Sequence, residues 1–252
     1  MDIAIRDRFM ELWKKYFKNA ELPLVFYYTK NIDHIDVAKN DLSQKSVDHS
    51  CLICDLQKVR NGRTLAFGKN NIGCGGGRKY AGFAEEARGD FEYFLSCGKK
   101  GVEGERYKKD PETVRLMMED FPQIRKKDQW LVFKRWDQLT ESDEPEVAVF
   151  FAKPHVLSGL FMLANYDFVG NAGVISPFSS GCGSIILYPY LEKDKEKSRS
   201  VVGMFDPSAR PCVKDDELTF ATPFMRLHTL MDYMEESFLI TKTWSQIHKR
   251  ME

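Results

Sequence analysis

The sequence predicts a single-domain α+β protein, with a mixed β-sheet, packed helices and a long C-terminal helix. Helix-like and strand-like segments interleave without a strict βαβ rhythm, which disfavours a doubly wound parallel sheet. The 252 residues are 43% hydrophobic and 13% aromatic, enough for one sizeable core. Neither an internal repeat nor a low-complexity tract divides the chain, so residues 1–252 read as one globular domain.

The elements follow in order. Phe9, Leu12, Trp13, Tyr16 and Phe17 recur at helical spacing with Lys14, Lys15 and Lys18 opposite, an amphipathic opening helix. Residues 22–28 form an apolar, aromatic strand, and residues 31–48 a polar loop with some helical character. Ser50 stands at the N-cap of a helix over 51–60 that Gly62 stops. A strand over 63–67 leads into a glycine-rich loop at 73–77. Helices are predicted over 84–97 and 111–120, the second opened by Asp110 as cap and Pro111 at its first position. Strands over 130–136 and 147–151 flank an acidic turn, and a helix over 155–164 precedes a short strand at 174–177. Residues 193–199 make a charged turn, and strands follow over 201–205 and 218–221. Pro223 then opens the final helix, with Leu227, Leu230, Met231, Met234 and Phe238 along one face.

Charge balances at 37 basic and 37 acidic residues, which argues against a general electrostatic grip on nucleic acid or anionic membrane. The first residues carry charge throughout and do not read as a signal peptide, and no apolar run reaches the length of a membrane span. The expected location is the cytoplasm, where six cysteines are expected as thiols rather than as three disulfides.

The cysteines carry the functional signal. Cys51 and Cys54 are three apart at a predicted helix start, where free N–H groups favour thiolates. Cys74 sits in Gly73-Cys74-Gly75-Gly76-Gly77, and Cys182 has the same setting in Gly181-Cys182-Gly183. Cys97, at a helix end beside Phe94 and Leu95, reads as a buried free thiol, and Cys212, after Pro211 in a loop, ranks with it below Cys182 as a further ligand. No second Cys-x-x-Cys pair exists for a zinc ribbon, and neither ferredoxin spacing fits. Polar residues 46–50 disfavour the strand that a thioredoxin-like pair would follow, and His49 reads as a solvent-facing cap-region residue. Arg78 follows the glycines, which lack the Walker and dinucleotide orders but form a nest of N–H groups suited to an anion. The loops at 104–107 and 206–211 are rich in polar and charged groups.

His49 with Cys51 and Cys54, Gly62-Arg63-Thr64, the Cys74 loop, the passage at 147–163, Ser180-Gly181-Cys182-Gly183 and Asp215-Asp216-Glu217-Leu218 occur in an order that resembles domain of unknown function number 169. That family has no assigned activity. The resemblance implies a single domain and directs attention to Cys51 or Cys54, Cys74 and Cys182.

The leading expectation is a cysteine-ligated metal or iron–sulfur protein, its site built from 49–78 and 180–184. Cys51, Cys54, Cys74 and Cys182 are the expected ligands to an iron–sulfur cluster or zinc, with Gly75, Gly76, Gly77 and Arg78 around them. Two alternatives remain open: a metal-free module that binds a small anionic ligand on those glycines and Arg78, and a thiol-dependent enzyme using Cys51 or Cys74.

Overall fold

β-Branched and aromatic residues concentrate in seven short stretches, which pair as one sheet. A computed structural model of the chain describes residues 1–33, 35, 51–126 and 129–251. The strands are β1 (Leu24–Thr29), β2 (Leu65–Phe67), β3 (Trp130–Arg135), β4 (Val147–Ala152), β5 (Val174–Ile175), β6 (Ser200–Gly203) and β7 (Leu218–Pro223). They lie in the order β2-β3-β1-β4-β7-β6-β5. All neighbours are antiparallel except β5 and β6, so the sheet is mixed and the fold α+β.

Helices cover both faces. They are α1 (Ile3–Phe17), α2 (Leu52–Arg60), α3 (Gly75–Tyr80), α4 (Phe91–Leu95), α5 (Pro111–Glu119), α6 (Pro154–Ala164), α7 (Tyr188–Glu192), α8 (Phe224–Tyr233) and α9 (Lys242–His248). A π-helical turn, Gly183–Leu187, runs directly into α7. Alternation along the strands sorts the core. Val25, Ala148, Phe150 and Phe220 meet Phe9, Trp13 and Phe17 of α1, Leu160 and Leu163 of α6, and Leu227 and Leu230 of α8. Their neighbours Leu24, Phe26, Val149 and Phe151 face the other way, onto Leu52, Leu56 and Val59 of α2 and Ile185 and Ile186 of the π turn. The second face carries Cys182 and Cys212, with Cys51 packed against it.

Charge is buried in several places on this frame, two of them beside the strands that carry the core. Asp143, fully buried, takes the Lys134 ammonium (2.8 Å), the Thr140 N–H (2.7 Å) and the Tyr27 hydroxyl. Arg60, at the end of α2, binds Glu21 ahead of β1 and Glu217 ahead of β7, the latter at 2.9 Å. These bonds tie the end of α2 to the segments that lead into β1 and β7.

Two helices are shorter than the sequence pattern predicts. The final helix stops at Tyr233, and Phe238 belongs to a separate 3₁₀ turn (Phe238–Ile240) before α9. Glu235 and Glu236 stand at that end, where negative charge opposes the helix dipole, and the Ser237 N–H closes onto the Tyr233 carbonyl at 2.9 Å. The helix predicted over 84–97 shrinks to α4, since Gly89 precedes its start. The α5 cap is as predicted, with the Asp110 carboxylate accepting the Thr113 N–H at 2.8 Å. Ser50 and His49 lie outside the described residues, and Cys51 occupies the N-cap position of α2. No helix among the described residues is long and apolar enough to cross a membrane.

Candidate functional site

The glycines after Cys74 do not form a loop: they open α3, with Cys74 at its N-cap. The Cys74 sulfur accepts the Gly77 N–H at 3.1 Å, doing what a serine or aspartate does elsewhere. Packing explains two of the glycines. A Cβ on Gly75 would meet the Ala87 carbonyl oxygen at 2.0 Å, and one on Gly77 would meet the Cys74 sulfur at 2.9 Å and Ile72 at 3.0 Å. Gly76 is different, since its nearest neighbour would be Tyr80 at 3.9 Å.

The second glycine-flanked cysteine is also helical. Cys182 immediately precedes the π turn, whose widened geometry is a common mark of functional sites. The Ser184 hydroxyl donates to the Gly181 carbonyl at 2.9 Å and accepts the Met204 N–H at 3.3 Å. Gly203 lets β6 come this close, because a Cβ there would meet the Ser184 Cβ at 2.0 Å. Met204 itself holds φ +72°, a left-handed conformation rare outside glycine.

These elements surround a cavity of about 1000 Å³. Cys51, Cys74 and Cys182 all line it, as do Gly75, Gly76, Gly77 and Arg78. Three chain segments, 131 residues apart from first to last (182 − 51), therefore each contribute a cysteine to the lining, near enough for the three thiols to interact. Burial pushes the Cys182 thiol well above its ordinary pKa, and the charges of Cys74, Cys51 and Asp206 push it the same way. Burial also raises Cys51; the Cys54 and Ile53 amides facing it act in the opposite sense, and Cys74 and Asp206 add to the rise. Cys51 and Cys182 therefore resist ionisation.

Cys54 is turned elsewhere. It does not line the cavity and is disulfide-bonded to Cys212, in the loop before β7. Cys51 belongs to both groupings, since the sulfurs of Cys51, Cys54 and Cys212 lie within 4.8 Å of one another. Cys97 is not the buried thiol its apolar neighbours suggest: it is exposed, at the end of the turn after α4, and apart from both.

Part of the polar wall is self-satisfied, while the buried Ser179 and Ser180 hydroxyls have no hydrogen-bond partner among the described residues. The Arg88 guanidinium pairs with Asp90, and the Asp206 carboxylate accepts the Ser208 N–H (3.0 Å) and hydroxyl (2.8 Å). Lys79 points away from the cavity to the Glu85 carbonyl (2.8 Å), and burial lowers its pKa. Arg78 is exposed, and its guanidinium has no acidic partner among the described residues. Burial raises the Tyr80 phenol to about 12, keeping it neutral. Phe91, Phe94 and Phe121 supply the apolar lining, with Phe178 (50% exposed) and Phe205 (58% exposed) showing at the surface.

Sequence reasoning did not single out Cys212 or these phenylalanines as site residues. The polar loops at 104–107 and 206–211 do reach the cavity, through Tyr107 and Asp206. Proximity across the fold assembles this group, and only the glycine flanks of Cys74 and Cys182 left a local trace.

No curated protein and no solved structure matches the chain significantly. The family of uncharacterised ArCR proteins, domain of unknown function number 169, matches over residues 14–232, from within α1 to within α8. The match takes in every strand and every cysteine just described, so the chain belongs to that family.

Proposed function

We propose that the protein binds an iron–sulfur cluster through Cys51, Cys74 and Cys182. The observation that carries this reading is the arrival of three thiols, from separate segments, on the wall of one cavity. Burial and then the neighbouring thiols raise the pKa of Cys51 and Cys182, so a bound cationic centre is what would stabilise them as thiolates. Cys74 and Cys182 fall outside the tight group of three sulfurs around Cys51, which suits separate irons of a cluster better than one shared ion. The Gly77 N–H already directed at the Cys74 sulfur is the kind of contact that tunes a cluster's potential. Three cysteines leave one iron of a four-iron cluster without a protein thiolate.

Iron and acid-labile sulfide, measured with the visible spectrum on protein purified without oxygen, test this reading. Stoichiometric iron and sulfide are expected in the wild type and in Cys54→Ser, with most of both lost in Cys74→Ser and Cys182→Ser. A colourless, iron-free wild type overturns it.

The 4.8 Å grouping of Cys51, Cys54 and Cys212 favours a second reading, a single zinc ion on those three when the disulfide is reduced. Under that reading, zinc alone is found. It is lost in Cys54→Ser and Cys212→Ser and kept in Cys74→Ser and Cys182→Ser.

A further inference from the structure

We infer that the cavity takes an amphiphilic small molecule with an apolar, ring-bearing body and one anionic end held by Arg78. This deepens the reading of the same site but rests on different atoms, so the two can fail separately. Its first support is how the charges pair. Four charged side chains line the cavity: Arg78, Arg88, Asp90 and Asp206. Arg88 and Asp90 neutralise each other, and Asp206 is engaged by Ser208. Asp206 keeps its negative charge, so the four sum to zero, but among the described residues Arg78 has no ion-pair partner, and a guanidinium with its donor fork free suits a carboxylate, sulfonate or phosphate.

The second support is the lining. Phe91, Phe94, Phe121, Phe178 and Phe205 converge from four chain segments on a space of about 1000 Å³. Two of them are half exposed, at 50% and 58%. Large rings are rarely left in water around a concavity unless something apolar covers them. The volume is at the upper end for small-molecule sites, so it accommodates a ligand of several rings.

Two fluorescent probes separate charge from apolar burial: 8-anilinonaphthalene-1-sulfonate and its uncharged relative N-phenyl-1-naphthylamine. Both are titrated into the protein as purified, with iron content measured on the same samples. The wild type is expected to bind both. Arg78→Ala should weaken the sulfonate about tenfold and leave the neutral probe unchanged, with Arg78→Lys between. Phe178→Ser with Phe205→Ser should weaken both probes. Sulfonate affinity that ignores Arg78→Ala overturns the anionic end, and probe binding indifferent to the phenylalanine changes overturns the cavity as the site. Absence of binding of either probe to the wild type overturns the whole inference. An unaltered melting temperature in each variant excludes unfolding as the cause. Charge-dependent binding in iron-free protein would sink the cluster and keep this inference; iron without probe binding would do the reverse.

Discussion

Gly76 and Gly77 are neighbours of one residue type, and the fold asks opposite things of them. A methyl group on Gly77 would press on the Cys74 sulfur and on Ile72, whereas Gly76 has room. Gly77→Ala should therefore destabilise by about 1–3 kcal/mol, and Gly76→Ala should be neutral or stabilising by up to about 1 kcal/mol. Urea midpoints of the two variants check this, and equal values would contradict the packing described. The same contrast shows what a sequence discloses at this scale. The glycine flanks drew attention to Cys74 and Cys182, but a cysteine in a cap position is unfamiliar, so the start of α3 read as a loop. Nothing near Cys212 advertises its partner, because Cys54 lies 158 positions away. Asp143 is the other residue whose surroundings decide its behaviour. Burial raises its pKa, and hydrogen bonds from Lys134, Tyr27 and Thr140 more than offset this, leaving it below the ordinary carboxylate value. Its contribution to stability is thus complete above the unfolded value of about 3.9 and disappears as pH falls through the lower native one. Asp143→Ala should cost about 3–5 kcal/mol at pH 7, by leaving Lys134 buried without its partner. Chemical denaturation at pH 7 and pH 3 is expected to show that deficit shrinking in acid.

Among the elements, α9 depends most on one side chain. Trp244 is 4% exposed, meets Phe17 and Phe238 edge-on and donates from its indole to the Tyr16 carbonyl at 3.0 Å. Gly159 of α6 makes room for it, since a Cβ there would come within 2.4 Å of the indole. Trp244→Ala should cost about 3–5 kcal/mol and release α9 from α1 and α6. Faster amide exchange over 238–248 would report the release, and unchanged protection would show that α9 is held otherwise. Strands and strongly amphipathic helices were legible because their periodicity is local: β1, β3, β4, β7, α1, α5 and α6 fall within a few residues of prediction. Helix ends were less so. The apolar stripe through Phe238 continues in space after the helix has stopped, because α8 and the 3₁₀ turn pack on the same core. Periodicity alone cannot see that break.

For the molecule as a whole, the layer that holds the site is tied to the sheet from both sides. Arg60 reaches segments ahead of β1 and β7, and Cys54–Cys212 joins α2 to the loop before β7. Opening the disulfide with a thiol-free reductant should lower stability by about 2–4 kcal/mol, and Cys212→Ser should reproduce the loss without further response to reductant. An equal response in wild type and variant would remove the disulfide from the account. The overall architecture followed from composition and from the irregular order of strands and helices. The meeting of residues 51, 74 and 182 did not, because it depends on how β6 and the π turn close against α2 and α3.

The strand order gives the Cys54–Cys212 bond a further consequence. It makes the chain a lariat, with β2 to β6 inside the noose and β1 and β7 on the two tails. Yet β1 lies between β3 and β4, and β7 between β4 and β6. Each tail is laced between strands of the noose, so neither can leave the sheet without parting strands that the bond keeps on one covalent circuit. A single proteolytic cut in the exposed turn at 193–199 should leave one band on a gel without reductant and two with it, and the cut protein should stay folded until the bond is opened.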